Sequence, residues 1–316
     1  MILNLSIYSK YRTQIMGFSA IMIILCHIRG IDYSNFPFLE KLVWFGNYGV
    51  ELFLFVSGIG MYFSLTKTNT NLGQWYKRRY IRITVPFILI AISIYPLRVI
   101  LNIPVSFSDF FLYITTLEFW IHHRGAWYVA MLFPLYFLTP YIVKTINTYK
   151  TRVLTISVLM ILLFGFSYIP SENEIIRNIQ FVTIRVPIFI LGIGIAPYVK
   201  NGYGINAINV CIIIGGGLLL WHFCNFPLGG GVAIICLLGV LMVFICKYKP
   251  TNKILSFMGK MSLESYLTNV YLGHIIMKSD VIALPGEVKA LIVIVTGILS
   301  AYIYHKLSNK IISKIE

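Results

Sequence analysis

Residues able to do chemistry are sparse in this 316-residue chain, and they fall into a few recognisable groups. In the stretch IMIILCHIRG, His27 closes an apolar run at a depth where a polar group lacking a partner costs free energy. An imidazole with one nitrogen held and the other free is a general base, able to take a proton from an attacking hydroxyl. The helical neighbours of His27, Ile23, Ile24, Gly30 and Ile31, offer no side chain to orient the ring, so an orienting side chain has to come from another helix. Glu51, in GNYGVELFLFVSG, can share its depth and is the expected partner. The competing reading is a buried histidine satisfied by a backbone carbonyl. A second group is the cluster in WYKRRYIRITVP, where Arg78 and Arg82 share a helical face and Arg79 points away. Paired guanidiniums suit a phosphorylated ligand, although basic residues at a cytoplasmic helix mouth also follow from membrane topology alone. Arg185, Glu264, Arg98 and His274 complete the ionisable residues at membrane depth.

Two further groups carry less. The run His122–His123–Arg124–Gly125–Ala126–Trp127–Tyr128 combines aromatics with polar side chains, as a sugar platform or an interfacial aromatic belt would. The two histidines are adjacent, without the i, i+4 spacing of a helical ligand pair, so no metal is expected there. Five cysteines lie scattered in apolar runs with no C-x-x-C pair, which gives neither a disulfide framework nor a metal site.

The elements that must position these residues are membrane helices. Hydrophobic residues make up 58% of the chain and charged residues 12%, and the mean hydropathy is +0.81, outside the range of a soluble domain. Apolar runs give about ten spans, near 15–31, 43–64, 80–101, 126–143, 153–169, 179–197, 206–223, 229–246, 260–277 and 288–307. Phe107 to Trp120 is too short and too acidic for an eleventh and is expected to be interfacial or re-entrant. The N-terminal run resembles a signal peptide but lacks a small-residue cleavage motif, so it is expected to remain as the first span.

Most of the 26 basic residues fall in alternate loops that include both ends of the chain, while Asp32, Glu40, Asp109, Glu118, Glu172, Glu174, Asp280 and Glu287 fall in the others. The positive-inside rule then places both termini in the cytoplasm. The net charge of +15 is thus a topology signal; dealt out loop by loop, it does not make the clustered face of a nucleic-acid binder. The expected fold is an all-α polytopic membrane bundle, residues 1–316 forming a single domain with no appended soluble domain.

The order of motifs resembles the acyltransferase-3 family of multi-pass membrane acyltransferases. The run ending at Cys26–His27 is similar to the helix that closes on that family's catalytic histidine. GVELFLFVSG, Gly49 to Gly58, resembles its second span, and YKRRYIRITVP its Arg-rich entry to the third. AWYVAMLFPLYFLTP, Ala126 to Pro140, resembles its Trp-led span, and MGKMSLESYL, Met258 to Leu267, its late Gly–x–x–Ser segment. The chain departs from the pattern at Met16, where the family commonly has an arginine; at Asn269, where a histidine often stands; and at Leu132, in place of a glutamate. Arg12 lies fifteen helical residues from His27, about 22 Å, so it could meet only the far end of a long ligand.

The resemblance implies an O-acyltransferase, most simply an O-acetyltransferase, in the plasma membrane of a bacterium. It would move an acyl group from cytoplasmic acetyl-CoA to a hydroxyl of a surface or secreted polysaccharide or its lipid-linked precursor, alongside other glycan-assembly membrane proteins. His27 and Glu51 would be catalytic. Arg78, Arg79 and Arg82 would hold the CoA phosphates, with Ser57 and Gly58 among the small residues of a passage through the second span. Trp127, Tyr128, Tyr266 and Asn269 would contact substrate. A transporter or flippase for a glycan or lipid is the alternative; such carriers are often built from repeats, and the two halves of this chain share no motif or charge pair.

Overall fold

The computed structural model describes residues 2–28, 37–67, 70–101, 103, 106–146, 148–224, 232–233, 235–241, 252–278 and 284–316. Their order is α1 (Ile7–Lys10), α2 (Arg12–His27), α3 (Pro37–Phe45), a 3-10 turn Gly46–Tyr48, α4 (Gly49–Leu65), α5 (Leu72–Ile100), α6 (Phe107–Ile114) and α7 (Leu117–His122). They continue as α8 (Trp127–Thr145), α9 (Tyr149–Ser167), α10 (Glu174–Thr183), α11 (Val186–Lys200), α12 (Ala207–Cys224) and α13 (235–241), then α14 (Lys253–Lys260), α15 (Ser262–Lys278) and α16 (Gly286–Ile315). One two-stranded antiparallel ribbon, β1 (Ile2–Asn4) with β2 (Gly204–Asn206), ties the N-terminus to the end of α11. Helix starts follow local chemistry: Asn71, Ser106, Thr148, Asn173 and Asn252 each accept a backbone N–H of the turn they open.

The bundle is all-α apart from that ribbon. Five helical stretches are long and apolar enough to cross a bilayer: Glu40–Leu65, Leu72–Ile100, Tyr149–Ser167, Glu174–Lys200 and Gly286–Ile315. Other expected spans correspond to α2, α8, α12 and α15. Of these, α2 is only 16 residues long, and α8 is diluted by Tyr, Thr and two prolines. The run near 229–246 lies partly outside the described residues. In place of an eleventh span, Phe107 to Trp120 forms two short helices joined through Thr116 in a left-handed conformation.

In lipid, helices are held by close packing rather than by transfer of apolar surface from water. α2 lies against α4, α14 and α15, and α4 lies along α11. Two backbone contacts set these positions. A Cβ on Gly17 would fall 1.9 Å from the Leu255 carbonyl oxygen, and one on Gly259 would fall 1.8 Å from that of Thr13, so α2 and α14 touch directly. Gly58 and Gly192 do the same for α4 and α11, at 2.2 Å from Phe189 O and 2.2 Å from Phe55 O. Leu52, Leu54, Phe55 and Val56 are buried in this central layer, whereas α9 buries no residue and presents Ile161 and Leu162 outward. The His27 helix is therefore gripped on several sides.

Candidate active site

His27 is the last residue of α2, and its Nδ1 lies 2.7 Å from the Ile23 carbonyl oxygen. A carbonyl can only accept, so Nδ1 carries the proton and Nε2 of the neutral ring keeps its lone pair. At Nδ1 it is a backbone carbonyl one turn back on the same helix, and not the side chain of another helix, that fixes the tautomer. This leaves a potential base, which a merely satisfied histidine would share.

Glu51 is buried in the first turn of α4 and is bonded to Arg185 rather than to the imidazole. Arg185 stands at the N-cap of α11, where Pro187, lacking an N–H, marks the helix start and separates α11 from α10. Its Nη1 donates to Glu51 Oε1 in a close ion pair, and its Nη2 reaches Asn47 Oδ1 at 3.4 Å. The guanidinium also lies 5.1 Å from the Trp127 ring centroid and 5.5 Å from that of Phe181. A permanently charged guanidinium satisfies a buried carboxylate better than a neutral ring can, which is why depth alone assigned Glu51 the wrong partner. Arg185, His27, Asn47, Trp127 and Tyr266 line one cavity of ≈ 250 Å³. His27 and Trp127 also line a cleft of ≈ 470 Å³ that includes Arg98, Tyr113, Arg124 and Tyr271. His27 therefore borders two spaces.

Toward the Arg12 end of α2 lies a third cavity, of ≈ 140 Å³, bounded by Arg12, Arg79, Arg82, Ser57, Tyr128 and Tyr266 among others. The face of α5 turned inward carries Trp75, Ile83, Pro86 and Ile90, and Arg79 and Arg82 fall on or beside it. Arg79, rather than Arg78, lines this cavity with Arg82; Arg78 and Arg82 are both exposed, and Arg82 Nε and Nη2 donate to the two Glu316 carboxylate oxygens at 3.1 and 3.2 Å. Arg12 completes the group. Its guanidinium lies over Gly60, where an added Cβ would come within 3.1 Å, and its buried Nε has no hydrogen-bond partner. Tyr266 is shared by the arginine cavity and the Arg185 cavity. Its hydroxyl accepts the Tyr128 N–H at 3.1 Å, and its ring sits edge-on to His27 at 6.4 Å.

The structure thus gathers His27, Trp127 and Tyr266 at one end, and Arg79, Arg82, Ser57, Tyr128 and Tyr266 at the other. It does not bring Gly58 or Asn269 into either. Gly58 serves the α4–α11 backbone contact. Asn269 is fully buried, donates to the Ser265 carbonyl at 2.7 Å and faces Gly297 across α16. Asn47, Phe181 and Tyr136 line these cavities unforeseen, and Arg12 and Arg185 carried a signal only as charges near or within an apolar span. Glu264, also flagged by its depth, accepts from Ser308 Oγ at 3.0 Å and lies 3.2 Å from His305 Nδ1, in a separate cavity at the Arg82 end.

A family model described as an acyltransferase domain matches residues 15–306. No curated protein and no solved structure matches the chain.

Proposed function

Because the chain belongs to the acyltransferase-3 family of membrane acyltransferases, we propose that it moves an acetyl group from acetyl-CoA to a hydroxyl of a surface or secreted polysaccharide or its lipid-linked precursor. The observation that carries this reading is the position of Tyr266, with three arginines in the cavity on one side and the His27–Arg185 cavity on the other. A long donor with an anionic head and a thioester tail matches that arrangement: phosphates on Arg12 and Arg79, and on Arg82 where it exchanges Glu316 for the ligand, the arm passing Ser57 and Tyr128, the thioester at His27.

At the far end the chemistry divides between two groups. His27 Nε2 takes the proton of the acceptor hydroxyl as its oxygen attacks the thioester carbonyl. Arg185, locked by Glu51 and Asn47 and bracketed by Trp127 and Phe181, offers N–H donors to the oxyanion that forms. Collapse breaks the C–S bond, and His27 returns the proton to the departing thiolate. Glu51 is then a positioning residue that acts through Arg185. In the bacterial plasma membrane, with both termini cytoplasmic, the arginine cavity would face the pool of acetyl-CoA and His27 the outer side, where glycan-assembly proteins deliver acceptor.

Purified protein incubated with acetyl-labelled CoA and surface glycan extract tests the reading. Label on a sugar supports it; label remaining on CoA with every glycan fraction overturns it.

A further inference from the structure

The cleft of ≈ 470 Å³ beside His27 carries charge that the transfer chemistry does not use. Arg98, near the end of α5, and Arg124, on the turn between α7 and α8, both line it. The Arg98 guanidinium lies 4.8 Å over the Tyr113 ring, and its Nε is buried with no hydrogen-bond partner. Among the described residues neither arginine forms an ion pair. The nearby acids are committed elsewhere. Glu118 is buried and lies 3.2 Å from His122 Nδ1, while Asp109 accepts the Ser106 N–H at 2.9 Å in the cap of α6. The Ser106 contacts first, and attraction to Arg98 and His122 after them, hold the Asp109 carboxyl below the usual carboxylate range, without a direct ion pair to Arg98.

The turn that presents Arg124 is built at a conformational cost. His123 has positive φ, which is costly for a residue with a Cβ, whereas Gly125 takes positive φ without strain; His123 is pinned by Asn178, whose Oδ1 lies 2.8 Å from its Nδ1. Strained backbone that the surroundings over-determine concentrates at sites of recognition. Trp127 and Tyr271 also line the cleft, aromatic side chains of the kind that receive a sugar ring.

We propose that this cleft is the acceptor subsite and that it selects an acidic glycan, one whose sugar carries a carboxylate or phosphate paired with Arg98 and Arg124. The buried Arg98 Nε has no hydrogen-bond partner, which is costly, and a bidentate anion relieves that cost, with the exposed Arg124 beside it, while setting the sugar's register against His27. The assignment of the cleft to the acceptor rests on the acyltransferase reading; the selection for an anion rests on the arginines themselves.

The test measures binding to the full chain in nanodiscs with three probes: a glucuronate-containing tetrasaccharide, the same tetrasaccharide with its carboxyls reduced, and glucose 1-phosphate. One acid is expected to bind about 10- to 100-fold more tightly than the reduced sugar, the range of a charge-assisted hydrogen bond. A carboxylate preference would mark an acidic sugar unit; a phosphate preference would mark a lipid-linked phosphosugar. Arg98→Gln should erase the preference and Arg98→Lys should keep most of it, with KM for acetyl-CoA unchanged in both. Equal binding of all three probes, or a preference that survives Arg98→Gln in folded protein, overturns the inference. If labelled acetyl reaches neutral and acidic acceptors alike, acyl transfer stands and selectivity falls. If Arg98-dependent anion binding holds while no acetyl is ever transferred, the anion site stands and the acyltransferase reading falls.

Discussion

His27 Nδ1 meets the Ile23 carbonyl at 2.7 Å, one turn back on the same helix. This bond decides which nitrogen can act. Nδ1 is spent as a donor, so Nε2 is the atom left to accept a proton. His27→Ala should lower acetyl transfer by roughly 10²–10⁴-fold, the usual contribution of a positioned acid–base group, and leave the acetyl-CoA KM within about twofold. His27→Gln, which keeps a polar side chain but no titratable nitrogen, should be as inactive as alanine. Steady-state rates on protein with unaltered thermal unfolding make the comparison, and near-normal turnover in either variant would remove His27 from the chemistry.

The Glu51–Arg185 pair makes a different prediction, because its two members should separate stability from activity. Removing one partner strands the other charge in a buried setting, a loss of about 3–5 kcal/mol, whereas replacing both with apolar residues of similar volume is often close to neutral. Glu51→Leu alone should therefore lower the unfolding temperature strongly. Glu51→Leu with Arg185→Met should recover much of it yet stay inactive, since the donors aimed at the oxyanion are gone. If the double variant regains transfer along with stability, the pair is structural only.

What the sequence could reveal divides along the same lines. That His27 and Trp127 line one cavity, and Arg79 and Arg82 another, was legible because motif order and charge at membrane depth are properties of the chain itself. Which face of α5 turns inward was not: a helical wheel groups Arg78 with Arg82, but only the buried Trp75, Ile83 and Ile90 show that Arg79 lies on the inner side. Glu51 is buried as its depth suggested, but its partner is Arg185, since depth along a bundle says nothing about lateral neighbours. The place of Arg12 in the arginine cavity depends on Gly60 leaving room for its guanidinium and on Arg79 arriving from α5, relationships only the folded chain contains. The grip on α2 through Gly17 and Gly259 was hidden for the same reason, because two isolated glycines in apolar helices carry no period or motif.

The arginine cavity yields a prediction that distinguishes three neighbouring charges. Each hydrogen bond to a charged phosphate is worth about 1.5–3 kcal/mol, or roughly 10- to 100-fold in affinity. Arg79→Gln and Arg12→Gln should each raise the acetyl-CoA KM by that factor with little change in kcat, whereas Arg78→Gln, exposed and off the inner face, should change it less than about threefold. Initial rates across a range of acetyl-CoA concentrations give the ranking. An Arg78 effect as large as that of Arg79 would return the donor site to the outer face of α5.

Tyr266 lines both the arginine cavity and the His27 cavity and its hydroxyl accepts the Tyr128 N–H, so its removal should change what reaches the thioester rather than how the donor binds. Tyr266→Phe keeps the ring and gives up one hydrogen bond, about 1 kcal/mol, and should reduce transfer only modestly. Tyr266→Ala removes the wall. Excluding water is what protects a reactive acyl group from hydrolysis in a closed site. The alanine variant should accordingly release CoA from acetyl-CoA without acceptor present, several-fold faster than the parent protein, while transfer to glycan falls. The measurement is thiol release with and without acceptor. A Tyr266→Ala protein whose CoA release still depends fully on acceptor would show that water is kept from the thioester by something other than this ring.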